Sequence, residues 1–314
     1  MSNYHIPVLL SEVLNYLDIK SDDTVVDCTL GGGGHSESIL EKLDNSGVLI
    51  GFDCDEDALL NSEERLKNYK NKILIKNNYS NLKKELQSRN INSVDKILFD
   101  LGVSSYQLDA NRGFSFQRDE PLDMRMDRTS SDYPAAWYVN NLPEEELANI
   151  IYNYGEERLS RRIAKSICVA RYESRINSTL ELAEIVKKSI GYAYSKQNIH
   201  PATRCFQALR IHVNKELEHI EKALSDAICM LKTGGIIAVI SFHSLEDRIV
   251  KKTFQKFSGK CTCPPEIPFC ICNPEKTINI LTNKPVTPSN NEICENPRSR
   301  SSKLRCAEKL EVVK

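Results

Sequence analysis

The 314 residues carry 43 acidic and 42 basic side chains, a net charge of −1, so a polyanionic partner must be met by local basic patches and not by the whole surface. No apolar run is long enough to span a membrane, and Met1-Ser2-Asn3-Tyr4-His5 lacks the basic start and apolar centre of a secretory signal. A cytoplasmic protein without membrane contact is expected, its eleven cysteines held as thiols whose spacing matters more than their number.

Val8, Leu9, Leu10, Val13, Leu14 and Leu17 recur at helical spacing and predict an opening amphipathic helix. Val25 and Val26 then read as a short buried strand ending on Asp27, followed by Gly31-Gly32-Gly33-Gly34-His35-Ser36 and a further helical pattern at Ile39, Leu40 and Leu43. Four consecutive glycines cost considerable backbone entropy, and a strand, a bare turn and a helix start together let backbone approach a ligand closely. Val48–Phe52 predicts a second strand ending on Asp53, and a helix over about 55–69 follows. Ile73–Ile75 reads as a third strand, Tyr79–Gln87 as helical, and Val94–Leu101 as a fourth strand that carries Asp100. Strands alternating with helices predict a parallel, doubly wound sheet whose ligand lies at the carboxyl ends of the strands. The glycines, Asp53 and Asp100 all sit there.

The alternation stops after about residue 108. Tyr106–Met126 reads as a long loop, and helices follow behind Pro143, from Glu156 to about Tyr172, and behind a capping box at Ser178-Thr179-Leu180-Glu181. This block, 109–203, is expected to be an all-helical domain inserted into an α/β domain built from 1–108 and 204–314. Phe206 to Leu231 predicts one long helix with a single buried face, ended by Gly234-Gly235 and followed by a fully apolar strand, Ile236–Ile240. A last strand is expected at Lys303–Glu308.

The glycine turn does not hold a dinucleotide. The third glycine of Gly-x-Gly-x-x-Gly falls on Ser36 or Glu37, and no Gly-Lys-Ser/Thr exists for a phosphate loop. Asp53 at the second strand end suits two ribose hydroxyls, and Asp27, which would repel a pyrophosphate, suits a cationic ligand end. An adenosine ribose with a cationic amino-acid end describes S-adenosylmethionine; the alternative is that both are merely loop carboxylates.

His5–Glu12, Asp27–Ser36, Asp100-Leu101-Gly102-Val103-Ser104-Ser105, Arg112–Phe116, Leu122–Asp127 and Tyr154–Arg158 resemble the RsmH (MraW) family in the family's order. His200–Arg204, Ser241–Arg248 and Asn296–Ser302 extend the likeness through the second half. The resemblance implies a Rossmann-like class I methyltransferase sheet with a helical insertion. It also implies S-adenosylmethionine-dependent N4-methylation of a cytidine in the decoding region of 16S rRNA, within free rRNA or the small ribosomal subunit. It assigns cofactor contacts to Gly33, Gly34, His35, Asp53, Tyr79, Asp100 and Gln107, with Tyr79 standing where the family more often has Phe.

A carboxylate that accepts a hydrogen from the exocyclic amine would orient a poor nucleophile and help its proton leave, and Asp100 is the candidate. The Asp-Pro-Pro-Tyr of many amino-methyltransferases is Asp100-Leu101-Gly102-Val103 here, so Tyr106, Phe114 or Phe116 would have to stack on the target base, unless the two phenylalanines pack in the core. His243, in Ser241–Arg248, suits substrate or loop positioning, with a purely structural hydrogen bond as the alternative; no Gly-x-Ser-x-Gly elbow supports a hydrolase. Arg158, Arg161, Arg162 and Lys165 fall on one side of a helix, and Arg298, Arg300, Lys303 and Arg305 form a second basic group, both candidates for RNA phosphates. Cys261, Cys263, Cys270 and Cys272 place four thiols close together, a candidate structural zinc site whose Cys-x-Cys spacing is tighter than usual. A homodimer stays open, and the rival functions are methylation of another nucleic acid and a silent RNA-binding assembly factor.

Overall fold

The computed structural model describes residues 7–103, 111–191, 200–261, 263 and 275–311. Its contacts divide into two units, Met1–Gly102 with Leu217–Lys314, and Val103–Glu216.

The first unit is a seven-stranded sheet of order β3-β2-β1-β4-β5-β7-β6. The strands are β1 (Thr24–Asp27), β2 (Val48–Asp53), β3 (Lys72–Lys76), β4 (Val94–Asp100), β5 (Leu231–Ser241), β6 (Ile278–Ile280) and β7 (Lys303–Lys309). β1 to β5 run parallel, and β7 pairs antiparallel with β5 and β6. Side chains alternate between two covered faces, as buried parallel strands require. Val26, Ile97, Phe99, Ile237 and Val239 pack in one core cluster. Val25, Leu98, Ala238 and Ile240 pack in another with Val13 and Leu17 of α1 (Leu10–Leu17) and Ile39 and Leu40 of α2 (Gly34–Leu40).

Register places the strand-end carboxylates. Asp27 lies opposite Gly51 of β2 and Leu98 of β4, so Asp53 and Asp100 project two residues, roughly 7 Å, beyond it on either side. The order reverses between β1 and β4, which makes that edge the topological switch point where such sheets bind ligands. α3 (Glu56–Arg65), a 3₁₀ turn at Tyr79–Asn81 and α4 (Leu82–Ser88) complete this half.

The second unit has its own core. α5 (Ala135–Asn141), α6 (Glu144–Gly155), α7 (Ser160–Glu173), α8 (Thr179–Ile190) and α9 (Thr203–Asn214) bury Val139, Leu147, Ile151, Ile163, Ile167, Leu182, Val186 and Leu209 together. The capping box forms as expected: Glu181 N donates to Ser178 Oγ at 3.3 Å, and Glu181 Oε2 accepts from Ser178 N at 3.1 Å. Gly155 is a contact glycine, since a Cβ there would lie 2.5 Å from the Arg204 carbonyl.

The single long helix expected from Phe206 to Leu231 is two, α9 and α10 (Glu216–Met230), broken at Lys215 with φ 51°. At the end of α9, Asn214 Nδ2 donates to the Met124 carbonyl at 2.8 Å and its Oδ1 accepts from Met126 N at 2.8 Å, which ties the break to the neighbouring loop. Gly234 and Gly235 do not end a helix; they form an irregularity inside β5, with Gly234 at φ 78°. The helix α11 (Ser244–Phe257) and the short α12 (Asn290–Glu295) were not expected from the sequence.

Candidate active site

The glycine turn is built by its left-handed residues. Gly31 and Gly33 have φ 52° and 72°, a region other residues enter at a cost. Gly31 thereby aims its N–H at Asp53 Oδ2, 2.9 Å away, and offers its carbonyl to Ser62 Oγ at 2.8 Å. Gly34 opens α2, where a Cβ would come 2.7 Å from Pro7 Cγ, whereas a Cβ on Gly32 would meet nothing within 4 Å. Gly32 therefore faces open space at the lip of the turn.

Three carboxylates converge beside it. Asp27 is 1% exposed; it accepts from Ser36 Oγ at 2.7 Å and Thr29 N at 3.1 Å, and burial raises its pKa. Asp53, half-buried, accepts from Gly31 N and from Asp55 N at 2.9 Å each. Burial first, with Asp55 and Asp27 adding repulsion, pushes its pKa up to about 6. Asp100 donates its backbone N–H to Thr29 Oγ1 at 2.6 Å. Its side chain is 20% exposed, and burial with the charges of Asp27 and Glu246 holds its carboxyl well above the usual range. Asp100 Oδ1 finds no hydrogen-bond partner among the described residues. Among the described residues, the charges that raise Asp53 and Asp100 are those of other carboxylates, an arrangement that a cationic ligand would relieve.

His35 links this cluster to the N-terminal segment. Its Nε2 lies 3.0 Å from the Val8 carbonyl, which can only accept, so Nε2 carries the proton. Nδ1 then faces Asp100 Oδ2 at 3.6 Å. Thr29 and Ser36, which orient Asp100 and Asp27, were not singled out from the sequence; their places two and nine residues after Asp27 are the available signal.

Tyr79, in the 3₁₀ turn after β3, meets Phe99 edge-on with ring centres 5.8 Å apart. Gln107 and Tyr106 lie outside the described residues. Phe114 and Phe116 have packing partners: Phe114 is 9% exposed, and Phe116 stacks on His200 at 4.6 Å and meets Phe206 at 5.0 Å. Arg112, from the same motif, is 2% exposed and donates to the Arg125 and Met126 carbonyls at 2.7 Å each, bracing the loop from inside.

His243 is the N-cap of α11. Its Nδ1 accepts from Glu246 N at 3.4 Å while Glu246 Oε2 accepts from Phe242 N at 2.7 Å. Arg158, Arg161, Arg162 and Lys165 are all exposed. Arg298 and Arg300 are exposed in a 3₁₀ turn, Pro297–Ser301. The rest of that second basic group differs from expectation: Arg305 and Lys303 pair with Asp247 at 2.6 and 3.5 Å, so their charge is spent within the fold. Cys261 is exposed and Cys263 half-buried, and Cys270 and Cys272 lie outside the described residues. Among the described residues, no helix is long and apolar enough to cross a membrane.

A parallel sheet with its switch point at β1/β4, a glycine turn after β1 and carboxylates at the ends of β1, β2 and β4 define a Rossmann-like methyltransferase. The MraW methylase family matches residues 2–310, and the chain belongs to that family. It is 50% identical over 307 residues to the Ribosomal RNA small subunit methyltransferase H of Clostridium botulinum strain 657 / Type Ba4, covering 98% of this chain and 99% of that protein. The protein of the same name from the Loch Maree / Type A3 strain matches at the same identity and coverage. Among solved structures, an rRNA methylase from Streptococcus thermophilus is 13% identical with a TM-score of 0.42, covering 96% of this chain and 93% of that one.

Proposed function

We propose that this chain methylates N4 of a cytidine in the decoding region of 16S rRNA, using S-adenosylmethionine. The observation that carries the cofactor is the set of three strand-end carboxylates beside a turn stripped of side chains, where burial and neighbouring carboxylates raise the pKa of Asp53 and Asp100. A ligand with a ribose, an ammonium and a sulfonium fits that donor set; a nucleotide phosphate does not. The rRNA substrate rests on the relatives at 50% identity and their name.

Asp53 would hold the ribose hydroxyls: each of its oxygens already accepts one backbone N–H and keeps a further lone pair. Gly33, Gly34 and His35 would line the amino-acid end, and Tyr79 would lie against the adenine, with Gln107 as a further contact. Bound S-adenosylmethionine supplies a methyl group on a sulfonium, which an amine displaces in line. Asp100 accepts a hydrogen from the exocyclic amine, fixes its approach and draws off the proton as the nitrogen becomes bonded to carbon. His35, held by the Val8 carbonyl, keeps the Asp100 carboxyl in place from behind. His243 acts at one remove, fixing the start of α11 beyond β5.

The inserted helices are the RNA-recognition part of this reading, with Arg158 just before α7, Arg162 and Lys165 on it, and Arg298 and Arg300 as phosphate contacts. Incubation with labelled cofactor and undermethylated small subunits, extracted rRNA or DNA tests the assignment. N4-methylcytidine in the rRNA by nucleoside mass spectrometry is expected; label in DNA alone, or cofactor binding without transfer, would replace this reading with one of its rivals.

A further inference from the structure

α7 buries Ser160, Ile163, Ala164 and Ile167. At about 100° per residue, Arg161, Arg162, Lys165, Cys168, Val169 and Tyr172 all fall within roughly 60° of Lys165 on the opposite face. The stripe changes character along its length. Arg161, Arg162 and Lys165 are exposed and make no ion pair among the described residues. One and two turns beyond Lys165, Val169 is 59% and Tyr172 93% exposed. Together with Cys168 and Glu173 of the same helix they form an open, solvent-facing patch. Single exposed apolar side chains are ordinary; this pair continues a basic row on one helix and contributes nothing to the core beneath it.

We propose that this exposed patch is a base-stacking platform, with Tyr172 and Val169 receiving a nucleobase of a single-stranded rRNA segment whose phosphates run along Arg158, Arg161, Arg162 and Lys165. Charge selects the occupant: a row of cations leading to an aromatic face suits a strand that alternates anionic backbone with planar rings. Glu173, at the far end, repels phosphate and accepts from an exocyclic amine. A duplex is a poor fit because its bases are stacked out of reach. This inference rests on the rRNA reading above.

Binding of the full chain to rRNA extracted from undermethylated small subunits, measured at several salt concentrations, tests it. Tyr172→Ala should weaken binding by about 5- to 150-fold and leave the slope of log affinity against log salt unchanged. Tyr172→Phe, which keeps the ring, should bind as the parent does. Reversing charge at Arg162 and Lys165 should flatten the slope instead. Photocrosslinking should leave a nucleotide adduct on the peptide containing Tyr172. Parental affinity in Tyr172→Ala would overturn the platform alone, as would a changed sedimentation of that variant without RNA, which would make the face a contact between copies. Failure of the parent chain to bind the rRNA would overturn the rRNA reading together with the platform.

Discussion

Replacing Asp53 by Asn should separate the stability of the fold from its affinity for cofactor. The Asp53 carboxyl is pushed from 3.8 up to about 6 in the folded protein. A raised carboxyl binds its proton more tightly when folded, so ionisation works against folding: the contribution is absent at low pH, grows as pH rises from about 4 to 6, and is constant above. The shift of about two units corresponds to about 3 kcal/mol at pH 8, of which about 1.4 kcal/mol is added between pH 5 and pH 8. Asn cannot ionise, but its amide turns one donor toward a backbone N–H, at Gly31 or Asp55, and loses a hydrogen bond worth about 1 kcal/mol at every pH. Urea unfolding of both proteins should therefore show the Asn variant gaining about 1.4 kcal/mol relative to the parent from pH 5 to pH 8. Calorimetric titration at pH 8 should show S-adenosylmethionine bound about ten- to a hundredfold more weakly, since hydrogen bonds to a charged acceptor are lost. A variant whose relative stability stays flat or falls with rising pH would refute the strained carboxylate, and unchanged cofactor affinity would remove Asp53 from the site.

Asp100→Asn should slow methyl transfer by about a hundredfold, the scale of a lost proton acceptor, with cofactor still bound; full single-turnover rate in this variant would exclude Asp100 from the chemistry. Gly33→Ala, at φ 72°, should cost about 1–2 kcal/mol in urea unfolding and weaken cofactor binding, whereas Gly32→Ala, which meets no neighbour within 4 Å, should unfold close to the parent. Ser178→Ala should remove about 1 kcal/mol from α8, visible as faster amide exchange at Glu181 while the β1–β4 amides are unaffected.

The parallel half of the sheet was legible because its strands are short apolar runs that end on Asp27, Asp53 and Asp100, and a strand end in such a fold is a place as much as a residue. The capping box at Ser178 was legible because both partners lie within four residues. What could not be read depends on contacts distant in sequence. The apolar period from Phe206 to Leu231 runs straight through Lys215, and the bond from Asn214 to the Met124 carbonyl, 90 residues away, that ties this corner to its loop is invisible to it. Lys303 and Arg305 look like available charge until Asp247, 56 and 58 residues earlier, is placed beside them. Arg112 sits in a motif that reads as functional, yet lies buried against two carbonyls. The His35–Asp100 approach joins the glycine turn to β4 and needed the register of β1 with β4 to be seen.

The central claim is that the strand-end carboxylates serve transfer of a methyl group to a ribosomal cytidine. Labelled S-adenosylmethionine with undermethylated small subunits, followed by digestion and nucleoside mass spectrometry, measures it directly. N4-methylcytidine in the rRNA from the parent chain, formed about a hundredfold more slowly by Asp100→Asn under matched cofactor occupancy, is the predicted result. Label on another base, or equal label from both proteins, would contradict it.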